Sequence, residues 1–170
     1  MRLFFGLDLP VDTKLAIDQW RNSNYSLLGP GVPAANFHIT LAFLGECKPQ
    51  QIEQLLLGAS GISAAPFELV LNDIGFWQKN GILWMGSRQQ PDELHALAKQ
   101  CRAIARGLQL DKSGKQFQPH VTLWRRQLSA PPPPVNMPSI NMQIQELCLF
   151  ESVIYKGTVT YNVIESWNFI

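Results

Sequence analysis

A chain of 170 residues, 46% hydrophobic and 16% charged, has the makeup of a folded globular protein rather than a disordered one, and its length suits a single domain spanning 1–170. A net charge of +1 excludes the broad basic surface that wraps long nucleic acid, so a nucleic-acid substrate would be gripped over a few nucleotides or at an end. Cys47, Cys101 and Cys148 include no Cys-x-x-Cys pair, which argues against a disulfide framework and a structural zinc site; with no apolar run of membrane-span length, the expectation is a reduced, cytoplasmic protein.

The apolar run of residues 3–7 reads as a buried strand, cut too short by Asp8 and Pro10 to form a signal-peptide core. Pro10, Asp12 and Thr13 open a helix whose apolar face would include Leu15, Ala16 and Trp20. Gly29-Pro30-Gly31-Val32-Pro33 punctuates a loop, and a strand begins at His38 and runs through Leu44. Pro49 starts a second helix, with Ile52, Leu55 and Leu56 at helical spacing and Gly58 in the position just past its end. Residues 67–76 and 82–85 are strand-like runs joined through Asn80-Gly81, a dipeptide suited to a hairpin turn.

The third helix is the most regular: Pro91, Asp92 and Glu93 begin it, Leu94, Leu97, Ala98, Cys101, Ile104, Ala105 and Leu108 form one face, and Gly107 ends it. A polar loop over residues 111–116, carrying Lys112 and Lys115, leads to a further strand around His120. Four prolines within residues 130–134 impose an extended connection. Two last strands, about 142–152 and 160–167, are joined by a turn near Lys156-Gly157.

One stretch occurs twice, His38-Ile39-Thr40-Leu41 and His120-Val121-Thr122-Leu123. On a strand, residues two apart share a face, so each histidine lies beside its threonine while Ile39, Leu41, Val121 and Leu123 point the other way, into a core. Each copy is preceded by a strand, a helix and a loop of nearly equal total length. The pattern predicts a duplicated architecture of two lobes, with the histidine strands facing each other across a central cleft.

Two imidazoles can hold complementary protonation states near neutral pH, one accepting a proton while the other donates. A hydroxyl beside each can donate to an anionic oxygen, so two His-Thr pairs closing on one point would hold a phosphate between an acid and a base. The scheme needs no cofactor and no metal, and two histidines without a third ligand at suitable spacing are poor for zinc. His95, off the apolar stripe of its helix, reads as a surface residue.

Three readings compete: a metal-independent phosphodiesterase acting on RNA ends or on a small cyclic nucleotide, a non-catalytic RNA- or nucleotide-binding module, and a zinc hydrolase using both histidines. Intact His and Thr in both motifs favour the first. Turnover separates it from the second, and sensitivity to a chelator separates it from the third.

The residues resemble the two-histidine (2H) phosphoesterase superfamily, and within it the LigT-like bacterial RNA 2′,3′-cyclic phosphodiesterases, also called 2′-5′ RNA ligases. Residues 2–10 resemble the family's opening strand, Asn36-Phe37-His38-Ile39-Thr40-Leu41-Ala42-Phe43-Leu44-Gly45 its first motif and Phe117-Gln118-Pro119-His120-Val121-Thr122-Leu123 its second. The resemblance implies a bilobal α/β fold of the α+β type, with antiparallel sheets lining a cleft and helices outside. It implies opening of RNA 2′,3′-cyclic phosphate ends, such as those of tRNA fragments, to 2′-phosphates, with reversible 2′-5′ RNA ligation as an accompanying activity. His38 would be the proton donor to the departing 3′ oxygen, His120 the proton acceptor from water, and Thr40 and Thr122 the ligands of the non-bridging oxygens.

Arg125 matches an arginine five residues after the second histidine in this family, and a guanidinium there would neutralise phosphate charge. Strict alternation puts it on the face opposite His120 and Thr122, so a bend or strand end is needed to bring it in; Arg126 has the right parity and the wrong family position. Lys112 and Lys115 are candidates to contact the RNA backbone. Phe43, Trp84, Trp124 and Tyr155 are candidates for stacking a base. Charge and composition suit a monomer.

Overall fold

The computed structural model of the chain describes residues 1–111 and 114–170, so the proposed contact of Lys112 lies outside the described residues. Its order is β1 (Arg2–Asp8), α1 (Val11–Asn24), a 3-10 turn (Ala34–Asn36), β2 (His38–Glu46), α2 (Pro49–Ser60), β3 (Phe67–Leu71), β4 (Asp73–Trp77), β5 (Ile82–Gly86), α3 (Asp92–Gly107), β6 (Val121–Trp124), β7 (Ile140–Ile144), β8 (Glu146–Tyr155) and β9 (Thr158–Asn168). The strands form antiparallel sheets in the orders β2-β1-β8-β9, β4-β5-β6 and β3-β7.

The duplication is visible in the topology. β1 and β2 form an antiparallel pair joined through α1, and β5 and β6 form an antiparallel pair joined through α3. Each repeat therefore ends on its own His-x-Thr segment, one in the four-stranded sheet and one in the three-stranded sheet. In β1, Leu3, Phe5 and Leu7 enter the main core, which they share with Ile39, Leu41, Val121, Leu123 and the inner face of α3. Phe4 points the other way, into a small cluster with Cys148 and Phe150.

α3 buries Leu94, Leu97, Ala98, Cys101 and Ala105, the stripe its 3.6-residue period predicts. α1 departs from expectation: Leu15 is exposed, and the buried positions are Thr13, Ile17 and Arg21. Gly58 lies inside α2 rather than beyond it, facing Ile104 of α3, and the helix ends at Gly61 instead. The runs 67–76 and 142–152 each split into two strands belonging to different sheets, β3 with β4 and β7 with β8. The hairpin through Asn80-Gly81 and the turn at Lys156-Gly157 form as expected. No described helix is long and apolar enough to cross a membrane.

Candidate active site

Both histidine segments present the alternation their sequence implies. Ile39, Leu41, Val121 and Leu123 are buried, while His38, Thr40, His120 and Thr122 are partly exposed on the opposite side. The His38 Nδ1–H donates to the carbonyl of Asn36 at 2.7 Å, and the His120 Nδ1–H donates to the carbonyl of Gln118 at 2.8 Å. A carbonyl only accepts, so this matched bond assigns the tautomer in both rings and leaves each neutral Nε2 unprotonated, as a hydrogen-bond acceptor. His38 Nε2 lies 3.2 Å from Thr40 Oγ1 and accepts the hydroxyl proton when the ring is neutral.

Aromatic rings hold each imidazole in place. Phe4 and Tyr161 flank His38 with ring centroids at 4.9 and 4.6 Å, and the Trp77 ring meets His120 edge-on at 4.5 Å. Thr40 and His120 line a common cleft of about 610 Å³, together with Phe43, Trp77, Phe117 and Arg102. Trp77, Phe4 and Tyr161 were not among the sequence candidates. Phe4 and Tyr161 lie on strands whose aromatic content reads as core, and nothing in a one-dimensional pattern says that their ring faces adjoin a histidine from another strand.

Burial lowers the pKa of both histidines. For His38 desolvation dominates over the opposing bond to Asn36, and with the positive charges of Arg125, His120 and Lys14 it brings the group down to about 4. For His120 burial again leads, partly offset by the bond to Gln118, with Arg125 adding to the fall. Arg125 is thus electrostatically coupled to both rings.

Its reach follows from a β-bulge. In the β5–β6 ladder Trp84 pairs with Thr122 but Leu83 pairs with Trp124, so Leu123 is an extra residue. Leu123 and Trp124 are consequently both buried, at 0% and 2% exposure, and the alternation resets. Arg125, exposed, returns to the face of Thr122. Arg126 instead occupies a left-handed turn with φ of 60°. Of the other candidates, Phe43 and Lys115 line the cleft, Trp84 is buried beside Thr122, Trp124 is in the core, and Tyr155 is exposed at the end of β8. His95 is exposed and bonded to Gln90. Among the described residues no group of three His, Cys, Asp or Glu side chains is assembled that could hold a metal.

Two imidazoles, each beside a threonine hydroxyl and both within electrostatic reach of one guanidinium, make an arrangement suited to proton transfer around a phosphate. The family model for LigT-like phosphoesterases matches residues 7–84, which contain the first His-x-Thr segment. The chain is 35% identical to the RNA 2′,3′-cyclic phosphodiesterase of Escherichia coli strain K12, over 98% of this chain and 95% of that one. It superposes on a crystal structure of a phosphoesterase with a TM-score of 0.93 at 33% identity, covering 99% of this chain and 97% of that one. Against E. coli LigT complexed with 3′-AMP the TM-score is 0.90 at 32% identity, covering 99% and 97% of the two chains. The fold, the paired histidine segments and this full-length likeness agree, and the chain belongs to the LigT-like phosphoesterase family.

Proposed function

We propose that this chain is an RNA 2′,3′-cyclic phosphodiesterase that opens cyclic phosphate ends to 2′-phosphomonoesters without a metal, working as a cytoplasmic monomer in which residues 1–170 form one bilobal domain. The observation that carries the reading is the matched tautomer: each His-x-Thr segment fixes Nδ1 on the carbonyl two residues upstream and leaves Nε2 for proton transfer. His120 takes a proton from water as the water oxygen bonds to phosphorus. The bond from phosphorus to the 3′ oxygen breaks, and that oxygen receives the Nε2 proton of a protonated His38. Thr40 and Thr122 donate hydrogen bonds to the non-bridging oxygens, and Arg125 balances their charge. With a 5′-hydroxyl in place of water the same roles give 2′-5′ ligation, His120 taking the hydroxyl proton and His38 protonating the departing 3′ oxygen; the two histidines exchange roles when that 2′-5′ bond is cleaved back to the cyclic phosphate.

The test is hydrolysis of an oligoribonucleotide ending in a 2′,3′-cyclic phosphate, in excess EDTA, with the product isomer identified. Turnover to a 2′-phosphate is expected, with a fall of at least about 10² in each of His38→Ala and His120→Ala. A 3′-phosphate product would reverse the leaving-group assignment. Nucleotide binding without turnover would mark a binding module, and loss of activity in EDTA would mark a metal enzyme.

A further inference from the structure

The internal repeat extends to one arginine of each helix. Arg21 is the eleventh residue of α1 and Arg102 the eleventh of α3. The two make corresponding contacts. Arg21 lies over the ring of Phe37, with Cζ 4.7 Å from its centroid, and donates Nη1 to the carbonyl of Leu123 at 3.1 Å. Arg102 lies over the ring of Phe117 at 5.4 Å and donates Nη1 to the carbonyl of Lys115 at 2.8 Å. Phe37 and Phe117 lead into the two His-x-Thr segments, so each helix steadies the approach to its own histidine through a cation–π contact.

What surrounds the two charges differs. Arg21 is 7% exposed, and Asp18, one turn earlier in α1, neutralises it through a 2.8 Å ion pair. The corresponding residue one turn before Arg102 is Lys99, a second cation. Arg102 is half-buried and lines the cleft that holds Thr40 and His120, together with Lys115. Asp111 lines the same cleft, but its Oδ2 lies 3.9 Å from Nε of Arg106, so that carboxylate already has a cation of its own. The bond to Lys115 occupies one of five guanidinium donors, and among the described residues no ion pair includes Arg102. The first copy of the arginine is thus neutralised inside the protein, while the second presents its charge and its planar fork to whatever anion enters the cleft.

We infer that Arg102 is the subsite for the internucleotide phosphate on the 5′ side of the terminal nucleotide, and that it makes the site favour RNA ends over free cyclic nucleotides. This rests on the proposed cyclic phosphodiesterase reading, in which the cyclic phosphate occupies the two His-Thr pairs and Arg125. Phe117, the ring under Arg102, precedes His120 by three residues, at most about 11 Å of extended chain. That separation puts Arg102 beyond the reacting phosphate and within reach of the next one along the strand. The contacts with Phe117 and the Lys115 carbonyl hold the guanidinium plane, so the phosphate meets a preorganised fork rather than a mobile chain. A cyclic mononucleotide has no phosphate at that point and gains nothing from it.

The experiment compares kcat/KM for adenosine 2′,3′-cyclic phosphate, for the adenosine dinucleotide ending in a 2′,3′-cyclic phosphate, and for that dinucleotide with an uncharged methylphosphonate linkage. Wild type should favour the charged dinucleotide over the methylphosphonate by about 10-fold, the usual worth of a charge-assisted hydrogen bond. Arg102→Met, which keeps an unbranched chain over Phe117, should abolish that difference and change the mononucleotide by less than about 3-fold. Arg102→Lys, which keeps the charge and loses the fork, should narrow the difference to about 3-fold and decides the matter if Arg102→Met does not fold. Equal kcat/KM for the two dinucleotides in wild type overturns the inference, as does a difference that survives in both variants. An equal fall on all three substrates also overturns it, leaving Arg102 only a support of the segment before His120. If wild type turns over none of them, the function reading fails and binding decides the subsite. Weaker binding of adenosine 2′,5′-bisphosphate by Arg102→Met, with 2′-AMP binding unchanged, upholds it, and equal binding of the bisphosphate overturns it.

Discussion

Both catalytic candidates are neutral imidazoles at pH 7, because burial lowers the pKa of each from the ordinary 6.5 and takes His38 to about 4. Activity in the proposed scheme requires one ring protonated and the other free, so kcat/KM, which reports the free enzyme, should peak on the acid side of pH 6.5 and fall above it as the donor loses its proton. A phosphate anion between the rings favours the protonated form, and the optimum of kcat should therefore lie at higher pH than that of kcat/KM. Arg125 supplies the internal control. Its charge depresses both histidines, so Arg125→Gln should move both ring titrations upward, seen by NMR of the imidazole resonances, and move the alkaline limb of kcat/KM upward with them. At the optimum kcat/KM should drop by about 10²-fold, the usual loss for removing one preorganised donor. Ring titrations that stay in place or move down would detach Arg125 from the site. The histidine–threonine pairs were legible in the sequence because a period of two survives from His38 to Thr40 and from His120 to Thr122. Arg125 was named by the family resemblance alone; strict alternation put it on the wrong face, because the bulge at Leu123 breaks that period between the motif and the arginine.

The β6 bulge is held from the other lobe. The carbonyl of Leu123 accepts the Val32 backbone N–H at 2.8 Å and Nη1 of Arg21 at 3.1 Å, and that buried guanidinium also stacks over the rings of Phe37 and Trp124. Asp18 completes the arrangement with a 2.8 Å ion pair to Arg21. Gly31 leaves the space for it: a Cβ there would lie 2.7 Å from Arg21 Nη1, 2.8 Å from the Leu123 oxygen and 3.0 Å from the Trp124 ring. Gly31→Ala should therefore destabilise the fold by about 1–3 kcal/mol through overpacking, measured by urea unfolding. Because the displaced group carries the bulge, kcat/KM should fall further than the residual folded fraction accounts for. A variant of unchanged stability and activity would show that the loop yields without disturbing β6. This contact also explains why α1 was misread. Its buried face is Thr13, Ile17 and Arg21, four residues apart as a helix requires, but two of the three are polar, so an apolar stripe led instead to the exposed Leu15. α3, whose inner face is wholly apolar, was legible from end to end. The divided runs 67–76 and 142–152 were not, since composition records β character and not the sheet to which each half belongs.

At the scale of the whole molecule, segments of the two repeats line one cleft, and the chain carries no overall basic excess for holding a long polyanion. The net charge is +1, and the cleft adds Arg102 and Lys115 near Asp111 to the Arg125 that acts on the histidines. Each cation that neutralises a backbone phosphate of a single strand contributes about −0.7 to the slope of log affinity against log salt. A grip limited to the terminal nucleotide and its neighbour involves one to three such contacts, so log kcat/KM for an RNA substrate should fall with log salt at a slope between about −0.7 and −2. Lengthening the oligonucleotide from about three residues to about twenty should leave that slope unchanged, because the added phosphates would lie outside the cleft. The measurement is kcat/KM for both lengths over a series of salt concentrations, at subsaturating substrate. A slope that steepens with length would reveal a basic track beyond the cleft and contradict recognition of the RNA end alone. A shallow, length-independent slope would locate recognition where the two His-x-Thr segments meet, with the base and the cyclic phosphate supplying the specificity that the surface charge does not.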